Sequence, residues 1–260
     1  PVGDTIDVPI KDELIDLSMA VGHFQEVAYF DNYDIDHDIE YCLGQPDKSH
    51  LRKKYQNYTL DQKLLYLSTL ETGQFRYMNQ VKALPISEDN RVRIKERLAT
   101  HLPTDAKVQK DCYIPFYCGN RLLFNAHGIC DVIHDGYVYE LKFVSELSHV
   151  HVLQLAMYLV CMGYRMGRLW NVRTNQMLEI IIPNRGKFLD KVIYAVTKES
   201  YRRFEAPPAT LCAIFYSQHK DECDEFMAMR KASPESTEGY FKAHGLTPPV
   251  SEMQLVNYLS

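Results

Sequence analysis

Gly128-Ile-Cys-Asp131, then eight residues, then Glu140-Leu-Lys142, then Gln154-Leu-Ala-Met-Tyr158 is the stretch whose reading decides the fold. Asp135-Gly136 stands between its first two parts. Asp and Gly tolerate the positive φ values of a type I′ turn, so this dipeptide predicts a two-residue hairpin. His134 then pairs with Tyr137, and counting back along both strands brings Asp131 opposite Glu140. Facing residues in such a ladder lie roughly 4.5–5.5 Å apart at Cβ, and like charges there destabilise the pair unless something positive lies between them. Strand alternation puts Lys142 on the face of Glu140, with Tyr139, Leu141 and Phe143 on the other.

Two carboxylates and a lysine in that register suit one divalent cation. A hard cation such as Mg²⁺ prefers carboxylate and carbonyl oxygens and keeps several waters. One of those waters can attack phosphorus, while the cation stabilises charge growing on the phosphate. A neighbouring lysine can orient that water or neutralise the transition state. Gln154 and Tyr158 are four residues apart, so a helix presents both on one face. An aspartate and an E-x-K are common on solvated strand faces. The paired register, the apolar neighbours Ile129, Ile133 and Val138, and the polar pair downstream set this stretch apart.

These three elements, G-x-x-D, E-x-K and Q-x-x-x-Y in that order, resemble the PD-(D/E)XK nuclease superfamily. Within it they resemble the RecB-like branch, which includes lambda exonuclease and the CRISPR-adaptation nucleases. The likeness is close from Gly128 to Tyr158 and extends in general layout over residues 60–205. It implies an α/β fold: a restriction-endonuclease-like mixed sheet flanked by helices, with a helical N-terminal region. It implies a divalent-metal-dependent nuclease using Mg²⁺ or Mn²⁺, with DNA rather than RNA as substrate, among protein partners of a replication, repair or recombination complex. Asp131 and Glu140 become the metal ligands, Lys142 the catalytic lysine, and Gln154 and Tyr158 the residues that orient the lysine or contact phosphate. The Leu141 carbonyl is a further candidate ligand, because hard cations accept carbonyl oxygens. The branch usually adds a His or Glu from an upstream helix. Glu71 is the preferred candidate; His101, Glu96 or no such ligand stay open, because Tyr77 stands where the branch pattern after Gly73 has histidine. Two other readings stand beside this one: a nucleic-acid-binding module on a nuclease scaffold with little cleavage, and a cap-snatching-type RNA endonuclease.

The chain has 260 residues, 46% hydrophobic and 24% charged, enough for one large domain or a domain with an added lobe. No run approaches the ~18 apolar residues of a membrane span, so no membrane is expected as a partner. No secretory signal is visible; the chain begins at Pro1, so a trimmed targeting segment stays open. Seven scattered cysteines without a C-x-x-C step suit reduced thiols in the cytoplasm or nucleus and give no ligand set for an iron–sulfur cluster. The net charge of −5 does not advertise a nucleic-acid binder. The basic runs Arg52-Lys53-Lys54, Arg91/Arg93/Lys95/Arg97, Arg165/Arg168, Arg185/Lys187 and Arg202-Arg203 read as solvated faces unless the fold gathers them.

Residues 1–58 read as an irregular, acidic and aromatic N-terminal region. Asp34-Ile-Asp-His-Asp38 resembles a calcium loop but lacks the glycine and terminal glutamate at the required offsets, so it reads as a solvated acidic segment. Residues 59–205 read as the nuclease core. Thr59–Gln62 resembles a capping box opening a helix, and a second helix runs from near Ser87 to before Pro103. Strands follow at Asp111–Cys118, an edge strand by its Pro115, then at Leu122–Ile133 and Gly136–Val144, with a turn at Gly119-Asn120. Ser148–Gly163 is a helix, apolar nearly all round and so expected to be buried. Arg168–Arg173 and Met177–Ile182 are further strands, and Lys187–Phe204 an amphipathic helix. Residues 206–260 read as a C-terminal extension, with a short helix at Asp221–Lys231. His127 reads as a core or turn histidine, and His149 and His151 as phosphate contacts or structural residues.

Overall fold

The Asp135-Gly136 turn forms as its chemistry demands, both residues lying in the left-handed region at φ 48° and 75°. It joins β2 (Arg121–His134) to β3 (Tyr137–Lys142), antiparallel in the register His134↔Tyr137, Ile133↔Val138 and Val132↔Tyr139. This is a computed structural model, and it describes residues 4–11, 15–44, 54–118 and 121–205. The Gly119-Asn120 turn, Arg52-Lys53 and the C-terminal extension with its helix lie outside the described residues.

β2 and β3 belong to a five-stranded sheet of order β1-β2-β3-β4-β5, completed by β1 (Lys107–Cys118), β4 (Met166–Asn171) and β5 (Gln176–Ile181). β1 lies at the edge of the sheet, the position Pro115 predicts. The sheet is mixed. β3 passes through α6 (His149–Met162) to β4, the crossover that parallel neighbours require. The β3 and β4 residue numbers rise together: Gly167 lies against the Val138 carbonyl, and the Val172 N–H donates to the Lys142 carbonyl at 2.8 Å. β4 and β5 form a hairpin through Asn175 (φ 56°), closed by the Ile182 N–H donating to the Arg165 carbonyl at 3.1 Å. With helices flanking this sheet, the α/β class and the mixed sheet stand as the sequence predicts.

The described residues fall into two units. One takes the chain up to Gln109 together with Glu140–His149 and Leu169–Leu178. Its centre is α3 (Leu60–Thr72), opened by the expected capping box: the Gln62 N–H donates to Thr59 Oγ1 and the Thr59 N–H to Gln62 Oε1. Every residue from Leu64 to Leu70 is buried, because α3 packs against α1 (Ser18–Val27), α2 (Ile35–Gly44) and α4 (Arg76–Gln80). α5 (Glu88–Ala99) starts from its Ser87 cap and supplies two cations that tie the unit together. Arg91 clamps Asp61 of α3 at 3.0 Å. Arg97, buried, donates to the carbonyls of Val172 and Arg173 and to Asp4.

The described part of residues 1–58 holds two helices, α1 and α2, where the sequence predicts an irregular region. α2 carries Ile35, Ile39 and Leu43 at helical spacing, all buried. Its acidic start is a helix N-terminus: Asp34 Oδ1 accepts from the N–H groups of Asp36 and His37, and Asp36 and Asp38 fill the first turn, where carboxylates complement the helix dipole. The segment is not simply solvated either, since Asp36 takes Lys63 at 2.6 Å and Glu40 the Tyr55 hydroxyl at 2.7 Å. α1 lacks a side-chain cap and carries Gly22 in its interior, so little in its sequence announces it.

The other unit takes Lys110–Tyr139, Val150–Arg168 and the chain from Glu179 on. Two glycines let α6 lie close on its strands. A Cβ on Gly167 would meet the Val138 carbonyl at 2.8 Å and Leu159 and Leu155 at 2.9 and 3.0 Å. Gly167→Ala is expected to cost about 1–3 kcal/mol, the usual penalty for overpacking against a backbone that cannot yield. Urea unfolding checks this, and an unchanged midpoint would refute the close approach. α6 is buried at Leu155, Ala156, Leu159, Val160 and Cys161, but not all round as its composition predicts: Val150 is 70% and Leu153 56% exposed. α7 (Arg185–Val196) stops well short of Phe204, because Lys198 (φ 49°) and Glu199 (φ 69°) turn the chain back. Among the described residues no helix is long and apolar enough to cross a membrane.

Candidate active site

Glu140 and Lys142 lie two apart on β3, so strand alternation gives them one face. Lys142 Nζ donates to Glu140 Oε1 at 2.5 Å. Glu140 is wholly buried, and the lysine side chain is 20% exposed. A carboxylate taken out of water is tolerated only when paired and hydrogen-bonded. The E-x-K spacing thus has a physical reading: the lysine supplies the charge that lets the glutamate sit inside. Leu141, between them, is buried and turned to the other face.

Asp131 is on β2, half-buried, one residue before Val132, which pairs with Tyr139 of β3. Three residues earlier on the same strand is Gly128. A Cβ at Gly128 would stand 2.6 Å from Tyr158 Cε1 and 3.2 Å from its hydroxyl, so the tyrosine ring of α6 occupies the space a side chain would need. The Tyr158 hydroxyl in turn accepts from Gln154 Nε2 at 2.9 Å, one helical turn away. G-x-x-D and Q-x-x-x-Y are therefore joined by contact: the glycine of the first makes room for the tyrosine of the second.

The upstream candidates stand apart from one another. Glu71, in the last turn of α3, pairs through Oε2 with His23 Nε2 of α1 at 2.8 Å. His101 stands edge-on to Trp170, with ring centroids 5.1 Å apart. Glu96 is exposed on α5. His127 takes Asp111 at 3.1 Å, a surface pair rather than a core or turn histidine, and His149 is exposed at the start of α6. Among the described residues no three His, Cys, Asp or Glu side chains are grouped to hold a metal ion.

One functional candidate carries almost no signal in the sequence. Glu26, on α1, is 6% exposed, and its Oε2 accepts from Gln109 Nε2. It stands near Tyr33. Burial first, then the charges of Glu26, Asp38 and Glu71, push the Tyr33 hydroxyl far above its ordinary range. Glu26 of α1, Asp38 of α2 and Glu71 of α3 thus act on the same phenol through their charge. The one available signal is the spacing of Ala20, Val21 and Phe24, which marks α1 as a helix with Glu26 beside its buried face.

Residues 98–181 match the family model of the PD-(D/E)XK nuclease superfamily. It is this stretch, not the whole chain, that is similar to a PD-(D/E)XK nuclease core. It runs from the end of α5 through β5 and contains Gly128, Asp131, Glu140, Lys142, Gln154 and Tyr158, while Glu26 and Glu71 lie before it. Comparison with the curated proteins and with the solved structures gives no match. The general chemistry of that superfamily is nuclease action on nucleic acid.

Proposed function

We propose that this chain is a divalent-metal-dependent nuclease of the RecB-like type that hydrolyses phosphodiester bonds in DNA. The observation that carries the reading is the buried Lys142–Glu140 pair inside the stretch that matches the nuclease family model. The hairpin supports it, since Asp131 and Glu140 are the residues next to Val132 and Tyr139, which pair. The donor set fits a hard cation: two carboxylates and the Leu141 carbonyl are all oxygen ligands of the kind Mg²⁺ and Mn²⁺ take. When bound, such a cation supplies activation of water and stabilisation of charge on the phosphate.

The chain's own residues divide the remaining work. Asp131 and Glu140 hold the cation. Lys142 balances the buried charge of Glu140 and orients the attacking water. Gln154 and Tyr158, locked to each other, position the lysine or the phosphate. Glu71, which pairs with His23, is the upstream candidate ligand, though it is not grouped with Asp131 and Glu140 among the described residues. The resemblance to the RecB-like branch is what favours DNA over RNA and a place in a replication, repair or recombination complex. The scattered cysteines support a reducing intracellular compartment.

The test is cleavage of single- and double-stranded DNA and RNA with Mg²⁺, with Mn²⁺ and in chelator. DNA is expected to be cut only with metal. Asp131→Asn should lower the rate by about 10²–10³-fold or more, the scale at which loss of one electrostatic stabiliser is felt. Glu71→Gln should raise the metal concentration needed for half-maximal rate, and Glu96→Gln should not. Cleavage of RNA alone would favour the cap-snatching type, and binding without cleavage the non-catalytic module. Full activity of a folded Asp131→Asn variant would remove the mechanism.

A further inference from the structure

The basic runs at Arg185/Lys187 and Arg202-Arg203 are separated by a helix in sequence, yet the fold brings them back together. α7 ends at Val196, and the left-handed Lys198 and Glu199 reverse the chain. The Phe204 N–H then donates to Asp190 Oδ1 at 2.7 Å, so the returning segment runs back to the middle of the helix. Lys187 and Lys191, flanking Asp190, thereby share a surface with Arg202 and Arg203. Lys198 is at the bend. All five side chains are exposed, and none makes an ion pair among the described residues. The same stretch holds three carboxylates: Asp190 caps the returning backbone, Glu199 accepts from the Tyr194 hydroxyl, and Glu205 follows the arginine pair.

We propose that this surface, formed by Lys187, Lys191, Lys198, Arg202 and Arg203, is a docking track for the phosphate backbone of a nucleic acid. The inference rests on the nuclease reading and deepens it by placing where the substrate strand is held. On a chain whose net charge is −5, five exposed cations on one surface make a local positive potential that attracts a polyanion. Lys187 and Lys191 are one turn apart, about 6 Å along the helix axis. That is close to two steps of a strand whose phosphates recur every ~3.4 Å of a duplex. Tyr194 falls on the same stripe as the lysines and is exposed, offering a face on which a base can stack. A lipid surface fits less well. The apolar residues Leu189 and Ile193 of α7 are buried, so the helix has no broad apolar face to sink into a bilayer.

The test is fluorescence-anisotropy binding of labelled single- and double-stranded oligonucleotides to the whole chain in chelator, where no cleavage occurs. The combined Lys187→Glu, Lys191→Glu and Arg202→Glu variant should bind at least tenfold more weakly at low salt. Its slope of log affinity against log salt should shrink by about 3, close to 0.9 for each phosphate no longer neutralised. The control carries the same charge change elsewhere, Lys54→Glu, Lys82→Glu and Lys95→Glu, and should weaken binding far less. If the glutamate variant melts early, the corresponding glutamine variant is measured instead. Equal weakening in test and control, an unchanged slope, or no oligonucleotide binding by the wild-type chain would each overturn the proposal. So would a defect confined to phosphatidylserine vesicles. Metal-dependent cleavage that persists while any of these holds would leave the nuclease reading standing without this track.

Discussion

Lys142→Met is expected to abolish cleavage and also to lower the melting temperature in metal-free buffer. The second effect comes from Glu140. Its carboxylate is wholly buried and its Oε1 takes the Lys142 ammonium at 2.5 Å. Removing one partner of a buried ion pair strands the other charge, which typically costs about 3–5 kcal/mol. Lys142 is 20% exposed, so solvent softens the loss and about 3 kcal/mol is the fitting figure. For a chain of this size that is roughly 6–12 °C. The double variant Glu140→Gln/Lys142→Met should regain part of the lost stability while staying inactive. Adding Mg²⁺ should raise the melting temperature of Lys142→Met, because a cation at Glu140 replaces the missing charge and binds only the folded chain. An unchanged melting temperature for Lys142→Met in chelator would show that the buried pair does not exist in solution.

Gly128→Ala is expected to reverse the sign of its effect depending on residue 158. Gly128 does not need positive φ. In a strand, alanine should then be favoured over glycine by roughly 0.5–1 kcal/mol. Here the added Cβ would stand 2.6 Å from the Tyr158 ring, so the ring must move and its bond to Gln154 must break or stretch. Gly128→Ala should therefore melt below wild type and lose at least tenfold in cleavage rate. In a Tyr158→Ala background the same substitution should raise the melting temperature and leave the rate unchanged. Such non-additivity is what residues in contact produce. Additive effects on both stability and rate would mean that Gly128 and Tyr158 act separately.

The parts of the fold written in local chemistry were legible. The Asp135-Gly136 turn, the Thr59/Gln62 capping box, the Ser87 cap and the edge position of the Pro115 strand each depend on a few neighbouring residues, and each formed. α2 was equally legible in Ile35, Ile39 and Leu43, but its capping aspartates imitate a cation loop and obscure the helix. α1 and α4 offered no such signal: α1 has an interior glycine and no cap, and α4 spans only Arg76–Gln80. The end of α7 was misplaced because Lys198 and Glu199 take left-handed conformations that their side chains do not favour. At the site, the E-x-K pair follows from strand alternation and could be read directly. The seat of Tyr158 on Gly128, the Glu71–His23 pair and the buried Glu26 join elements far apart in sequence, and no local pattern encodes them.

The proposed mechanism stands or falls on Asp131 and Glu140 holding one divalent cation between them. The most direct measurement is an anomalous difference map from a crystal grown with Mn²⁺. The expected result is a peak within coordination distance, about 2.0–2.2 Å, of a carboxylate oxygen of each residue, absent from crystals of Asp131→Asn. A peak held by only one of the two carboxylates, or no peak at either while Mn²⁺ supports cleavage, would contradict it.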